Sequence, residues 1–433
     1  MANERQPFTS LLAGIVDNRG RTCPTAESGL PLIATNCVRN DFLYPRHEKV
    51  RFVDNNTYLH WFRGHPRSGD LLFVTKGAPG RVCMVPDPVD FCIAQDMVAI
   101  RADDKKVYPR FLLALLRSEA VQEEIDRLTV GTLIPHFKKG DFDRLLLTIP
   151  DRATQQFIGD TYFSLSAKID LNRRMSDTLE AMARALFKSW FVDFDPVHAK
   201  AEGRDSGLLA DIAALFPDSF QESDLGEIPK TWRGSTVGAE LTSVLGGTPS
   251  RGELGYWEGG TIPWINSGKA NEFRVTQPSE FITKKGLECS ATKQLPERTT
   301  IVAITGATLG KVSLLEISAC ANQSIVGILG SDRLPSEFIY FWVREHIDSL
   351  VSWQTGGAQQ HINKNNIDRL GVLCPPSSII QEYICTIRPV FDRIRGNCLE
   401  SGTLAALRDT LLPKLLSGEL RVPQIDEPSK GYS

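Results

Sequence analysis

The strongest constraint on the fold of this chain is an internal duplication. From about Gly131 to Leu186, residue types recur 225 positions later without a gap. The matching pairs are His136 and His361, Asp143 and Asp368, Arg144 and Arg369, Leu145 and Leu370, Pro150 and Pro375, Ile169 and Ile394, Asn172 and Asn397, Thr178 and Thr403, Leu179 and Leu404, and Leu186 and Leu411. Further upstream, TKGAPGRV (Thr75–Val82) matches TGATLGKV (Thr305–Val312). Such a repeat predicts two similar modules related by a pseudo-two-fold axis.

Composition sets the class of protein. The 433 residues, of which 42% are apolar, indicate two or three domains with sizeable cores. No apolar run reaches the roughly 18 residues that a membrane span needs, and the N-terminus MANERQPFTS lacks the layout of a signal peptide. The nine cysteines form no C-x-x-C pair, which favours free thiols in the reducing cytoplasm.

The charge pattern limits where a nucleic acid could bind. A net charge of −3 gives no overall basic signature. Residues 39–67 are rich in arginine and lysine, whereas residues 193–227 hold nine acidic residues against Lys200 and Arg204. Because an acidic segment repels phosphates, we expect DNA, if it is bound, to contact only parts of each module.

Each copy predicts the same order of elements. A strand-rich region with many glycines and prolines comes first, with short apolar runs such as DLLFVT and TIVAIT. A short helix follows, predicted at residues 111–128 in one copy and 337–351 in the other. A glycine-rich loop, a strand ending in proline and a long helix complete each copy, while residues 191–207 are predicted as a loop. The fold class is therefore α+β, with two similar mixed α/β domains and two long helices.

The long helices carry a heptad pattern. Apolar residues repeat every seven positions, with a second set four positions further on, which is the seam of a coiled coil. The first helix is predicted from about Thr154 to Phe191, about 57 Å at 1.5 Å per residue, and Pro389 should kink the second or delay its start. Polar residues in the seam are predicted to fix its register: Asn172, Ser176, Asn397 and Ser401. We expect the helices to pack antiparallel against each other; the alternative is that each folds back onto its own domain.

The segment GATLGKV resembles a phosphate-binding loop, but it has three residues between its glycines instead of four, and Val312 follows the lysine. A turn between two strands explains it better. Lys311 and its counterpart Arg81 still place one cation at the same position of each module, where it could contact a phosphate.

Two matched loops hold further DNA candidates, VGTLIPHFKKGD (residues 130–141) and TGGAQQHINKNN (residues 355–366). Amide side chains can recognise adenine, and lysines can bind phosphate or guanine. The repeated histidines are more consistent with a structural role, and Asn363 with a helix N-cap. In the loops of residues 246–272, Trp257 and Trp264 are predicted to pack. The full set of DNA-binding candidates is Lys76, Arg81, Lys138, Lys139, Arg251, Lys269, Lys311, Gln359, Gln360 and Lys364.

Catalytic signatures are missing from the sequence. It contains no Asn/Asp-Pro-Pro-aromatic methyltransferase segment, no glycine-rich cofactor loop after a strand, no H-E-x-x-H or G-x-S-x-G motif and no zinc-ligand spacing. We therefore expect a non-catalytic chain without a cofactor or metal of its own.

Together, the repeated domains, the long helices and several sequence segments make the chain resemble the specificity subunit of Type I restriction-modification systems (the HsdS family). The resemblance rests on GGTPSR with YWEGGTIPWI, on ITGATLGKV, on ARALFKSWFVDFDPVHAKAEG and on LAALRDTLLPKLLSGEL. It covers essentially the whole chain, although the first copy lacks the GGTP phrase.

The resemblance implies a division of the chain into target-recognition domains and spacer helices. The predicted segments are a first target-recognition domain (1–152), a central coiled-coil helix (153–191), an acidic linker (192–229), a second target-recognition domain (230–376), a distal coiled-coil helix (377–420) and a tail (421–433). The two domains would read the two halves of a bipartite, asymmetric DNA site.

It also implies partners. Two modification (methyltransferase) subunits, which bind S-adenosylmethionine and methylate adenine N6, would dock on the chain, and two restriction subunits could add ATP- and Mg-dependent translocation and cleavage. The double-stranded DNA would be held by the assembly, with the target adenine flipped out by the partners.

Two other interpretations stay open on the residues alone. The acidic net charge is compatible with a coiled-coil scaffold that carries two ligand-binding domains and no DNA. A nucleotide-using enzyme would rest on the incomplete phosphate-loop motif GATLGKV alone.

Overall fold

The computed structural model describes residues 5–18, 22–352 and 362–420. The chain divides into two units, Met1–Asn172 with Ser401–Ser433 (unit 1) and Arg173–Glu400 (unit 2).

Unit 1 is built on two small sheets. In its described residues, strands β1–β9 span Arg5–Pro7, Leu12–Val16, Leu30–Ile33, Arg51–Val53, Leu71–Val74, Val82–Met84, Cys92–Ile93, Met97–Ala102 and Leu146–Thr148, and helices α1–α3 span Asn55–His60, Pro109–Arg117 and Glu119–Leu128. One antiparallel sheet has the order β2-β8-β5-β6, and the other has the order β4-β3-β7, with β3 and β7 parallel. Strands β1 and β9 form a separate pair.

The long helix α4, Arg152–Phe191, belongs to both units. In the described part of unit 2, strands β10–β21 span Phe220–Ser223, Gly226–Pro229, Arg233–Thr236, Thr242–Leu245, Ile262–Ile265, Glu280–Ile282, Gln294–Leu295, Thr300–Ala303, Val312–Leu314, Ala319–Ala321, Ile325–Leu329 and Gly371–Cys374. Helices α5–α10 span Asp195–Ala201, Ala210–Ala213, Val237–Glu240, Lys284–Glu288, Ser336–Ser352 and Lys364–Asp368, and the second long helix α11 spans Ser377–Ser417.

The topology confirms the duplication. The sheet β13-β20-β17-β18 of unit 2 repeats the order and antiparallel pairing of β2-β8-β5-β6. Strand β14 lies between antiparallel β15 and parallel β19, as β3 lies between β4 and β7. The pair β12-β21 corresponds to β1-β9. Unit 2 adds β16 at the edge of its second sheet and the hairpin β10-β11.

The repeated Asp-Arg-Leu triplet has a structural role in both units. The hydroxyl of Thr9 donates to the carboxylate of Asp143, and the hydroxyl of Ser243 donates to that of Asp368. The carbonyl oxygen of Leu145 accepts from the backbone N–H of Phe8 at 2.9 Å, just as that of Leu370 accepts from Val237 at 2.8 Å. The triplet therefore ties the first residues of each module to the strand that precedes its long helix.

The long helices pack antiparallel in each unit, as predicted. In unit 1, Ile158 and Tyr162 near the start of α4 share a core with Leu412 and Leu415 near the end of α11. In unit 2, the end of α4 and the start of α11 share a second core, formed by Ala183, Phe187, Trp190, Phe191, Tyr383, Ile387 and Phe391.

Two local predictions were wrong, and a third was wrong in part. Helix α11 begins at Ser377 and runs through Pro389, so the proline does not delay the start of the helix, whereas the kink stays a prediction. The buried Ile387 and Phe391 hold both sides of the proline in the core. The short helix predicted at residues 111–128 is two helices, interrupted by the extended backbone of Ser118.

The segment 191–207, predicted as a loop, contains helix α5. Its proline, Pro196, lies in the first turn, where no backbone N–H is needed. Val197 and Ala199 are buried. The helix is too short to show a period in the sequence, and tertiary packing stabilises it.

A buried ionic cluster attaches α4 to helix α9 and to two segments outside the strands of unit 2. The guanidinium of Arg274, which is fully buried, lies 2.5 Å from the carboxylate of Glu180 on α4 and 3.4 Å from that of Glu316. The hydroxyl of Tyr340 donates to Glu180 at 2.7 Å, and Arg344 is a further donor to the same carboxylate. Because charges at this depth are stable only when they are paired, the cluster fixes which face of α4 meets the domain.

We predict that Glu180→Ala lowers the free energy of unfolding by about 3–5 kcal/mol, since it leaves the buried Arg274 without its closest carboxylate. Urea unfolding of the purified chain measures this loss. The matched control is Arg184→Ala on the same helix, which removes the 2.6 Å pair with Glu345 from a half-exposed arginine and should cost less than about 1 kcal/mol. Equal losses in the two variants would contradict the role of the cluster.

A second prediction concerns pH. Burial raises the pKa of Glu316 to about 6, despite the nearby Arg274, Arg298 and Arg395, so the folded state holds the proton more tightly than the unfolded state. This contribution to stability is present at acidic pH and is lost as the pH rises through about 6. Relative to Glu316→Gln, the wild-type chain should lose about 2 kcal/mol between about pH 4.5 and pH 7.5, at about 1.4 kcal/mol per pKa unit. Urea unfolding of both proteins tests this, and a difference that is independent of pH would contradict it.

Candidate nucleic-acid interface

In unit 1 the structure brings together two segments that hold candidate cations. The turn between β5 and β6 lies against the loop that follows α3, because the N–H of Phe137 donates to the carbonyl of Thr75 at 2.9 Å and that of Gly77 donates to Pro135 at 2.8 Å. Lys76 forms an isolated bridge with His136. Lys76 and Lys138 therefore lie on adjacent backbone segments at one surface.

Unit 2 repeats this arrangement. The N–H of Ile362 donates to the carbonyl of Ile304 at 3.0 Å, which places the start of α10 beside the turn between β17 and β18. The 3-10 helix Ser267–Asn271 contacts the 3-10 helix Gly306–Thr308 in that turn. Lys269, Lys311 and Lys364 thus lie on three neighbouring segments.

The candidates differ in whether their charge is already paired. Among the candidate residues that the structure describes, four exposed cations have no ion pair: Lys76, Arg81, Lys138 and Lys311. Three other lysines are paired, Lys139 with Asp17 at 2.5 Å, Lys269 with Glu272 at 2.7 Å and Lys364 with Asp368 at 2.6 Å. An unpaired exposed cation can bind a phosphate without first losing a partner, so the first four are the stronger candidates.

Arg251 is held in place by its neighbours. Its guanidinium makes a bidentate ion pair with Glu280, with N–O distances of 2.6 and 2.8 Å, and lies 3.6 Å from the ring centre of Trp257. Trp257 in turn packs edge-on against the buried Trp264. The packing role predicted for both tryptophans is confirmed, and a DNA contact by Arg251 would have to replace or share Glu280.

The resemblance of GATLGKV to a phosphate loop does not extend to the structure. A phosphate loop leads into a helix, whereas Gly306–Thr308 leads into strand β18, which pairs antiparallel with β17. The prediction of a turn between strands is confirmed.

The glycines of the GGTP phrase have a packing role. A Cβ atom on Gly246 would lie 2.1 Å from the carbonyl oxygen of Asn322, and one on Gly247 would lie 2.7 Å from the backbone of Ala291. The backbone of Gly247 also accepts a hydrogen bond from the indole of Trp264 at 3.3 Å. This part of the phrase keeps the segment tightly against the second sheet of unit 2.

Other predictions have mixed outcomes. Asn363 caps α10 through a reciprocal capping box with Asn366, as predicted, and the backbone bridges of His136 fit a structural role. Residues 355–361 of the second loop, which include Gln359, Gln360 and His361, lie outside the described residues.

The polar seam residues lie in the middle of the helix pair. Within unit 2, the side-chain amide of Asn397 donates to the hydroxyl of Ser176 at 3.2 Å, and both residues are buried. Asn172 is fully buried, and Ser401 is partly exposed. Their role in fixing the register stays a prediction.

Two exposed residues, Leu133 and Ile134, were not among the candidates predicted from the sequence. They are 92% and 53% exposed in the loop after α3. The available signal was two adjacent aliphatic residues in a glycine- and proline-containing loop, where no periodic pattern assigns them to a core.

No cluster of three or more potential metal ligands occurs within the described ranges. Among the helices described, none is both long and apolar enough to cross a bilayer.

Comparisons with known proteins agree with this geometry. Residues 64–181 and 230–406 match the family model described as "Type I restriction modification DNA specificity domain". The chain is 28% identical over 404 residues to the Type I restriction enzyme HindI specificity subunit of Haemophilus influenzae, which covers 82% of this chain and 87% of that protein. It is 24% identical over 361 residues to the MjaIX specificity subunit of Methanocaldococcus jannaschii, covering 82% and 79%. The crystal structure of the Type I S subunit from M. genitalium has a similar fold, with a TM-score of 0.56, 14% identity and 95% of both chains covered.

Proposed function

The chain belongs to the family of Type I restriction-modification specificity subunits, and from this membership we propose that it reads a bipartite, asymmetric DNA site for a Type I complex. The observation that carries the proposal is the double match to the family model, at residues 64–181 and 230–406. The two matches fall on the two copies of one repeated topology. A chain with two similar modules is suited to reading two half-sites.

The two modules would read different half-sites. Their shared residues are structural, as with the Asp-Arg-Leu triplets, whereas the loops around them differ in sequence. The exposed cations Lys76, Arg81 and Lys138 of unit 1 and Lys311 of unit 2 would contact phosphates and so orient each module on the duplex. Side chains at the tips of the loops would then contact base edges.

The long helices would act as the spacer and as the scaffold for partners. Helix α4 has 40 residues, a length of about 60 Å at 1.5 Å per residue. Half-sites spaced by roughly one turn of DNA would fit two modules of one chain. Two modification subunits would dock on the duplicated scaffold, and restriction subunits would join through them.

The chemistry would belong to the partners. In this proposal the chain is a non-catalytic cytoplasmic subunit. S-adenosylmethionine would be bound by the modification subunits, which would methylate adenine N6, and ATP and Mg would be bound by the restriction subunits. This chain would supply the sequence specificity of the complex.

The test is a genome-wide map of N6-methylated adenines in cells that express the chain with a modification subunit. We expect a two-part motif with a fixed gap, which disappears when the chain is removed. Exchange of residues 230–376 for the same segment of another family member should alter one half of the motif only. A change in both halves would contradict the modular interpretation, and a map unaffected by removal of the chain would favour the scaffold without DNA.

A second prediction concerns the unpaired cations of unit 1. In complex with the modification subunit, the triple variant Lys76→Ala, Arg81→Ala and Lys138→Ala should bind its DNA more weakly. The slope of log K against log salt should fall by up to about 0.9 for each phosphate that the variant no longer neutralises. Titration of a labelled duplex at several salt concentrations measures the slope.

The control removes the same charge from three ion-paired cations of unit 1, two of which are exposed and one partly exposed. These are Lys106 (paired with Asp103), Arg127 (paired with Glu123) and Arg152 (paired with Asp104). Their replacement by alanine should leave the slope nearly unchanged. An equal decrease in both triple variants would indicate a general effect of net charge and would contradict a local phosphate contact.

A further inference from the structure

The loop after α3 in unit 1, residues 131–135, is closed by backbone hydrogen bonds. The N–H of Val130 donates to the carbonyl of His136 at 3.0 Å, and the N–H of His136 donates back to Val130 at 2.8 Å. Gly131 has a φ of +94°, and a Cβ atom there would lie 2.8 Å from the carbonyl oxygen of Ile134. The loop conformation is therefore set by its backbone and by glycine, and not by the side chains at its tip.

The base of this loop is anchored in the core of unit 1. Phe137, which directly follows the closing pair, is fully buried and packs against Phe142 with 5.0 Å between ring centres and against Phe73 with 6.1 Å. The N–H of Gly77 donates to the carbonyl of Pro135 at 2.8 Å. An anchored loop loses little conformational freedom when it binds a ligand.

The tip of the loop is apolar and exposed. Leu133 is 92% exposed and Ile134 53% exposed, and Val130 at the base is 47% exposed. Two adjacent aliphatic side chains that an anchored loop holds in solvent lower solubility and gain no burial within the described fold. Such a patch marks an interaction surface.

The charge around the tip indicates what binds there. Lys76 forms a backbone bridge with His136 at the base of the loop, and Lys138 follows the buried Phe137; both lysines are exposed and have no ion pair among the described residues. An apolar tip with unpaired cations near its base is complementary to a DNA groove, in which phosphates flank base edges and thymine methyl groups.

We propose that Leu133 and Ile134 are the apolar base contacts of unit 1. They enter the groove of its half-site while Lys76 and Lys138 bind the flanking phosphates. Apolar side chains can recognise bases by contact with the thymine C5-methyl group or by insertion between base pairs. This inference rests on the proposed function and assigns specificity to two residues that carry no charge and no hydrogen-bonding group.

The test uses the complex of the chain with its modification subunit and a duplex that contains the methylated motif mapped with the unaltered chain. The variants are Leu133→Ser and the double variant Leu133→Ser with Ile134→Ser. The control is Leu209→Ser, which removes a leucine that is 76% exposed in the acidic segment of unit 2. The double variant should bind the duplex at least about tenfold more weakly, and the control should bind it normally.

Two further readouts identify the contact. Thymine is replaced by uracil at each position of the half-site, and 2-aminopurine fluorescence reports unstacking at each step. We expect the unaltered complex to lose affinity at one uracil position or to gain fluorescence at one step outside the methylated adenine. The double serine variant should lose that response. A separate double variant that keeps aliphatic side chains, Leu133→Met with Ile134→Val, should retain it.

Other outcomes would overturn the inference. Unchanged affinity and an unchanged motif in the double variant would exclude a base contact. Loss of the modification subunit from the purified double variant would show that the tip binds a protein partner instead. A double variant that binds weakly but has the same uracil and 2-aminopurine profiles as the unaltered complex would also exclude a base contact. If the unaltered chain specifies no motif at all, the proposed function fails, and this inference fails with it.

Discussion

The fold depends on one helix pair whose two ends are buried in different cores. Ile158 and Tyr162 near the start of α4 are part of the core of unit 1, and Phe187 and Trp190 near its end are part of the core of unit 2. A helix buried over both of its ends cannot slide by a residue without exposing apolar side chains in both cores. The hydrogen bond between Asn397 and Ser176 adds a buried polar contact to this pair.

The two units attach to this pair by different means. In unit 1, Gly159 lets the start of α2 approach α4 so closely that a Cβ atom would lie 2.6 Å from the backbone nitrogen of Phe111, and Asp160 accepts from Tyr108 and Arg110 at 2.8 and 2.7 Å. In unit 2 the attachment is the buried cluster of Glu180 and Arg274. The contact in unit 1 is half-exposed and combines close backbone packing with hydrogen bonds. The second is charged and buried, so a wrong pairing there would leave an uncompensated charge.

The sequence predicted what repeats and what is periodic. The heptad pattern predicted the start of α4 to within two residues. The repeat at an offset of 225 residues predicted two modules of similar topology, which the strand orders confirm. Contacts between residues distant in the chain could not be predicted. Neither the pairing of Glu180 with Arg274 nor that of Arg251 with Glu280 follows from spacing, because 94 and 29 residues separate the partners. Helix α5 was missed because packing, and not its own period, stabilises seven residues.

The loops show how one scaffold can carry different specificities. The loop of residues 131–135 is held by backbone hydrogen bonds, by Gly131 and by the buried Phe137. None of these supports uses the side chains of residues 132–134. Substitutions at those positions therefore change the surface presented to a ligand at little cost in stability. The repeated residues, such as Asp143 and Asp368, stabilise the fold in both units. A net charge of −3 is compatible with DNA binding under this arrangement, because the four candidate cations without an ion pair lie on or beside these loops, whereas nine acidic residues lie in the separate segment 193–227.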